Sequence, residues 1–153
     1  MTAPNPSPRP IVDRGLRLGP PSLILAGLGL ALALGASGAA SAAETTPAQQ
    51  LQRFSQQAGG PGQADAGRSF FTRRQGGEWS CASCHGDVPT RAGQHARTGK
   101  RLDPLAPAAN PRSFTDEAKV DKWFRRNCND VLQRECSARE KADVIAYLIS
   151  LKP

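Results

Sequence analysis

Cys81, Cys84 and His85, in the run Cys81-Ala82-Ser83-Cys84-His85, are the residues whose types and spacing point most directly to chemistry. Two thiols three positions apart, followed at once by an imidazole, form the pattern at which haem is joined covalently to protein. The thiols add across the haem vinyl groups as thioethers, and the histidine becomes the proximal ligand of the iron. So short a pattern also occurs by chance in large proteins, and its support here comes from an export signal and a small, loop-rich remainder. The expectation is a c-type cytochrome with a single covalent haem c, since no internal repeat asks for a second. The only methionine is Met1, so the opposite face of the iron is not closed by a methionine thioether.

The elements that position these residues begin after a targeting segment. Arg14 and Arg17 precede an apolar run from Leu23 to about Ala36, and Ser41-Ala42-Ala43 fits a signal peptidase site with cleavage before Glu44. Residues 1–43 are thus expected to be a secretory signal peptide and residues 44–153 a monohaem cytochrome c domain in the periplasm. No arginine pair precedes the apolar run, which favours export of an unfolded chain. The alternative is a retained anchor, because residues 22–43 approach the roughly 20 needed to span a bilayer; only then is a membrane a partner. The expected mature chain keeps 17 of the 20 basic and 12 of the 13 acidic residues, a net charge of +5 before the haem propionates are counted. That balance gives no reason to expect nucleic-acid binding.

All eight aromatic residues lie beyond the signal segment, as a core built around haem requires. An all-α domain is expected. Thr46-Pro47 is an N-cap followed by proline at the first helical position, and Leu51 and Phe54 share a face of a helix that runs to about Ala58. Gly59-Gly60-Pro61-Gly62 ends it. Gly67, Phe70 and Phe71 form one face of a second helix over 64–74, with Gly67 placed for a close crossing against the last helix and Tyr147 as a candidate to pack there. Residues 86–112 have no usable period, and so long a loop in a small domain is expected to wrap the haem edge. Thr115 is expected to cap a helix carrying Val120, Trp123, Phe124 and Asn127 on one face. Ser137-Ala138-Arg139-Glu140 fits a capping box that starts the terminal helix.

Cys128 and Cys136 stand eight apart in a chain expected to leave the reducing cytoplasm, which favours a disulfide. Loop-closure entropy gives about 2.5 kcal/mol for so short a ring, and the bond also fixes Asn127 just before it. Free or redox-active thiols are one alternative. Zinc held by four cysteines is another, although the spacing lacks a tight ligand pair and haem already claims Cys81 and Cys84.

Longer strings carry more information than the haem pattern. Trp123-Phe124-Arg125-Arg126-Asn127-Cys128-Asn129, followed by Arg134-Glu135-Cys136 and Glu140-Lys141-Ala142-Asp143, resembles the sphaeroides haem protein family of high-spin cytochromes c. Upstream, Thr90-Arg91-Ala92-Gly93-Gln94, Arg97-Thr98-Gly99-Lys100 and Pro104-Leu105-Ala106-Pro107 are similar to it too, so the resemblance spans about Pro47 to Leu151. It implies a class I cytochrome c fold, a Cys128 to Cys136 bridge, and Asn127 as the sixth ligand of the ferric haem. It further implies that the reduced iron binds oxygen, nitric oxide and other small ligands such as carbon monoxide, and that electrons arrive from a dihaem cytochrome c.

A physical argument for Asn127 runs beside the resemblance. An amide oxygen is a neutral, hard donor that suits ferric better than ferrous iron, so reduction should loosen it and open a site. The competing reading is that asparagine near a helix end is a left-handed cap. Asn129 and Asn110 are weaker ligand candidates. His95, the only other histidine, is the rival sixth ligand, and with it the chain would be a plain low-spin electron carrier. It lies only ten residues past His85, in a polar stretch, and so short a connection makes the opposite haem face harder to reach, which favours an exposed surface histidine. Catalysis as an oxidase, peroxide reductase or nitric oxide scavenger is a further alternative, with no acid–base pair legible for it. Arg73, Arg74, Arg97, Lys100, Arg101, Arg125 and Arg126 could pair with propionates or an acidic partner.

Overall fold

The structure, a computed structural model, describes residues Glu44–Lys152; the expected signal segment lies outside the described residues. The chain order is α1 (Pro47–Gln57), α2 (Ala64–Thr72), α3 (Ala82–His85), β1 (Gly93–Gln94), β2 (Arg101–Leu102), α4 (Glu117–Leu132) and α5 (Ala138–Ser150). This is the expected small helical cytochrome architecture, its one sheet being a two-stranded antiparallel ribbon with Gly93 opposite Leu102 and Gln94 opposite Arg101. Among the described residues, no helix is long and apolar enough to cross a membrane.

Helix α1 starts where the sequence signals it. The Thr46 side chain accepts from the Gln49 amide at 3.2 Å and Gln49 Oε1 accepts from the Thr46 amide at 2.9 Å, with Pro47 at the first turn. At the other end of the chain, Ser137 and Glu140 form the same reciprocal pair and open α5. Both α1 and α2 pack on α5. Gly67 is indispensable to the second contact, because a Cβ there would stand 1.9 Å from the Asp143 carbonyl oxygen. Asp143 also reaches across the crossing, accepting from the Gln63 amide at 2.7 Å and so capping α2 from outside. Tyr147 does not pack at Gly67; it lies one turn further along α5, against Phe71 at 5.7 Å.

The core falls into two linked clusters. Phe54, Val120, Ala142 and Ile145 form one, and Phe71, Val144, Tyr147 and Leu148 the other, with Phe114 and Phe124 packed against both. The amphipathic face of α4 is narrower than its spacing predicts. Val120 and Cys128 are buried and Phe124 half-buried, while Trp123 and Asn127 are exposed on an adjacent stripe.

Two helix ends depart from expectation. Asp116, not Thr115, caps α4: the Thr115 hydroxyl donates to the Arg112 carbonyl, which leaves the Asp116 carboxylate to accept from the Lys119 amide at 3.0 Å. A carboxylate suits the positive end of the helix better than a hydroxyl, and that amide holds its pKa below the usual range. The left-handed cap of α4 is Gln133, φ 57°, so Asn127 lies inside the helix and is not its terminus. Residues 86–112 hold the ribbon and a series of turns.

Candidate haem site

Helix α3 is a single turn, and it puts Cys81, Cys84 and His85 on one side at i, i+3 and i+4. The amides of Cys84 and His85 both donate to the Cys81 carbonyl, at 3.3 and 3.2 Å. Ser80 and Ser83 tie the turn from before it, with the Ser80 amide donating to Ser83 Oγ at 2.9 Å. Gly86, φ 76°, ends it in a conformation that a side chain would resist.

The surroundings of the three residues suit covalent haem. Cys81 packs against the Phe71–Tyr147 cluster, and burial pushes its thiol up to about 11, so it is a neutral group in apolar surroundings. A thioether, also uncharged, can replace it there without desolvating a charge. Burial, and secondarily the nearby His95, lowers the pKa of His85, which keeps the ring neutral with a lone pair to give. Among the described residues His85 Nδ1 is the one buried side-chain nitrogen or oxygen without a hydrogen-bond partner. A buried polar atom left unpaired in this way is expected where the ring's partner is a bound group.

A cleft of about 780 Å³ opens beside the turn, bounded on one side by Cys84 and His85 and on the other by the loop carrying Arg91, His95 and Arg101. The loop lies directly on the turn. A Cβ at Gly93 would stand 2.2 Å from the Cys84 carbonyl oxygen and 3.0 Å from His85 Cα, so only glycine fits. The Ala96 amide donates to Cys84 Sγ at 3.3 Å. Arg97 lies over the Trp79 ring at 5.0 Å and Tyr147 donates to the Asp87 carbonyl, which fixes the chain on both sides of the turn. Sequence reasoning assigned no role to Gly93, Ala96 or Tyr147–Asp87. None of them carries a local signal, because residues 86–112 show no usable period.

The structure sets Cys84, His85 and His95 around one cleft, with Cys81 at the start of the same turn facing the Phe71–Tyr147 cluster; Asn127 does not line that cleft. His95 is half-buried, and its Nδ1 accepts from the amides of Arg97 and Thr98, both at 3.3 Å. Asn127 is exposed on α4. Three residues before it, Phe124 packs against the Phe71–Tyr147 cluster on which Cys81 also packs, and one turn after it the Val131 carbonyl oxygen lies 2.7 Å from the position of a Cβ on Gly77. Asn129 shares the exposed surface of α4, whereas Asn110 is occupied, donating to the Pro104 carbonyl and accepting from the Arg112 amide. Cys128 and Cys136 are joined as a disulfide with Cα atoms 5.6 Å apart. Among the described residues no cluster of three or more His, Cys, Asp or Glu is arranged for a metal ion, so four-cysteine zinc has no site there.

The chain is similar to known proteins in sequence and in fold. A family model described as a domain of unknown function (DUF1924) matches residues 57–148. The cytochrome c-type protein SHP of Cereibacter sphaeroides is 48% identical over 116 residues, covering 73% of this chain and 89% of that protein. A solved structure of oxidized SHP, described as an oxygen-binding cytochrome c, matches with a TM-score of 0.67 at 47% identity, covering 71% of this chain and 99% of that one. The crystal structure of oxidized cytochrome c'' from Methylophilus methylotrophus matches with a TM-score of 0.64 at 35% identity, over 70% of this chain and 95% of that one. With a family model over more than half its length and a relative at this identity, the chain belongs to the sphaeroides haem protein family and is a c-type cytochrome that carries haem c.

Proposed function

We propose that this cytochrome is exported to the periplasm, accepts electrons from another cytochrome, a dihaem cytochrome c by resemblance, and binds a small diatomic ligand at the reduced iron once Asn127 has released it. Cys81 and Cys84 are the thioether residues, His85 the proximal ligand and Asn127 the sixth. Haem c, when bound, would supply one redox-active iron, which His85 and Asn127 would hold. The rest is done by the chain. His85 is half-buried beside the Phe71 ring, at 6.3 Å between centroids, and burial lowers its pKa, which favours the neutral imidazole that an iron ligand must be. Asn127 presents a neutral amide oxygen, a donor better matched to ferric than to ferrous iron, and its side chain can turn away without leaving a cavity because it is not part of the core.

The observation that supports the reading is the place of Asn127 on the exposed stripe of α4, one turn before Val131, whose carbonyl oxygen lies 2.7 Å from the position of a Cβ on Gly77, four residues before Cys81. Relatives add weight: SHP is described as oxygen-binding, and a solution structure of cytochrome c'' is described in terms of haem-ligand detachment. His95 is the weaker sixth ligand. With Nδ1 accepting two backbone amides, a neutral imidazole carries its proton on Nε2 and has no lone pair left for iron.

The test is the absorption spectrum of the dithionite-reduced protein before and after carbon monoxide. A broad, high-spin ferrous spectrum that shifts at once with carbon monoxide is expected. A sharp low-spin spectrum indifferent to carbon monoxide would restore His95 and simple electron carriage. Asn127→Ala should change the ferric spectrum, and an unchanged one would remove Asn127 from the site.

A further inference from the structure

We infer that an acidic electron donor docks on the face around Val88, with this valine as the apolar centre of the contact and Arg68, Arg91, Lys100 and Arg101 as the cations around it. The inference rests on the reading above that electrons arrive from another cytochrome. Val88 is 54% exposed, a large apolar side chain left in solvent. It stands between two hollows: the cleft that Cys84 and His85 line, and a smaller one of about 250 Å³ that Arg68 and Tyr147 line. A partner that covers Val88 therefore rests beside the attachment turn.

The backbone holds this valine outward. Three successive carbonyls are engaged: Tyr147 donates to that of Asp87, the Thr90 amide to that of Val88 at 2.8 Å, and the Leu105 and Ala106 amides to that of Pro89, both at 3.0 Å. Pro89, the next residue, is fully buried. With the segment pinned on both sides, the exposure of Val88 is a fixed feature of the fold and not a loop end free to turn inward. An apolar centre inside a polar, charged rim is the anatomy of a binding surface.

The charges around it select the partner. Arg91 and Arg101 line the cleft and Arg68 the smaller hollow, while Lys100 precedes Arg101 where the ribbon turns, its carbonyl accepting from the His95 amide at 2.8 Å. All four are exposed and, among the described residues, none takes part in an ion pair. Asp65, in the smaller hollow, and Asp87, beside Val88 in the chain, stand against them, which leaves a positive excess. Cations that pair with no carboxylate of their own chain are open to those of another, and they steer the encounter. So small a face suits the brief contacts that electron carriers make. Arg125 and Arg126 on α4 are also exposed cations, but they line neither hollow and serve as the control.

Electron uptake from a reduced, acidic dihaem cytochrome c is followed by stopped flow at rising ionic strength, for the haem-loaded parent, for Arg91→Glu with Arg101→Glu, and for Arg125→Glu with Arg126→Glu. At low salt the first pair should slow uptake about tenfold and the second by less than about twofold. The gap should close toward about 1 M salt, where screening reaches within about 3 Å. The inference is overturned if neither pair slows uptake, if both slow it equally, or if the gap persists at high salt, which would mean a damaged haem site. A second measurement needs no variant. Carbodiimide joins lysine amines to carboxylates that touch them, so the parent mixed with the same donor should be cross-linked through Lys100; cross-links through Lys119 or Lys122 would move the contact to α4 and overturn the inference. Failure of the underlying reading looks different: there the parent takes no electrons from the dihaem cytochrome at any salt, and the inference falls with it.

Discussion

The turn that carries His85 and the outer stripe of α4 that carries Asn127 are built in opposite ways. The turn is one helical turn long, too short to persist alone. It is held from outside by Gly93 of the ribbon against the Cys84 carbonyl, the Ala96 amide on Cys84, the Arg97–Trp79 stack and the Tyr147 bond to Asp87. Helix α4, with 16 residues, has a cap, a full set of backbone bonds and a buried inner face of its own, so nothing on its outer stripe is needed to keep it folded. On the proposed reading, the difference separates a ligand that stays from one that leaves. His85 cannot move without its neighbours, whereas Asn127 can change partners by rotating about its own bonds.

The sharpest way to break the comparison is to remove haem attachment. Replacing Cys81 and Cys84 together with alanine should leave no haem that resists acid–acetone extraction, while Asn127→Ala should retain all of it. If Asn127→Ala also lost covalent haem, the outer stripe of α4 would be part of the anchoring machinery and the contrast would fail.

A smaller effect separates the two regions by packing. Gly93→Ala sets a methyl group against the Cys84 carbonyl, with backbone on both sides and no flexible side chain to yield. A loss of about 1–3 kcal/mol is expected. Arg125→Ala, on the exposed surface of α4, should stay within about 0.5 kcal/mol of the parent. Urea unfolding of the haem-loaded proteins gives both values, and equal midpoints would mean that the loop adjusts freely around the turn.

Legibility in the sequence followed the same division. Local chemistry was readable: the Thr46 N-cap, the Ser137 capping box, the Gly67 crossing and the pairing of cysteines eight apart each depend on residues close in sequence or on one small residue. The Cys81–His85 turn was readable because covalent haem demands a fixed spacing. What could not be read were contacts made at long range by ordinary residues. Nothing local marks the Asp87 carbonyl as the acceptor of Tyr147, or the Ala96 amide as a donor to Cys84. The end of α4 was missed for a different reason. Gln133 takes the left-handed conformation usually given to glycine or asparagine, so the stop has no residue signature. Asn127, the residue of the right type nearby, is mid-helix.

The smallest expected effect lies where α4 hands over to α5, and it asks how independent the outer stripe is. Just past the left-handed Gln133, Arg134 donates both terminal nitrogens to the Glu140 carboxylate at 2.8 and 2.7 Å, and Glu140 also accepts from the Ser137 amide. The Arg134 hydrogen bonds hold the Glu140 carboxyl below the usual carboxylate range. A carboxyl with a depressed folded pKa contributes stability that is fully present above its unfolded value, and loses it as pH falls through the folded one. The stability gap between the parent and Glu140→Gln should therefore narrow from about pH 6 toward about pH 3, and it should be modest throughout, because solvent screens the pair. Over that interval the ferric spectrum of the parent should not follow the change. The pair secures the loop beyond Cys128, whereas Asn127 is set by the backbone of α4 between Phe124 and Val131. A ferric spectrum that tracked the titration of Glu140 would show that loop and ligand move together, and the release of Asn127 would then depend on the whole end of the helix and not on one side chain.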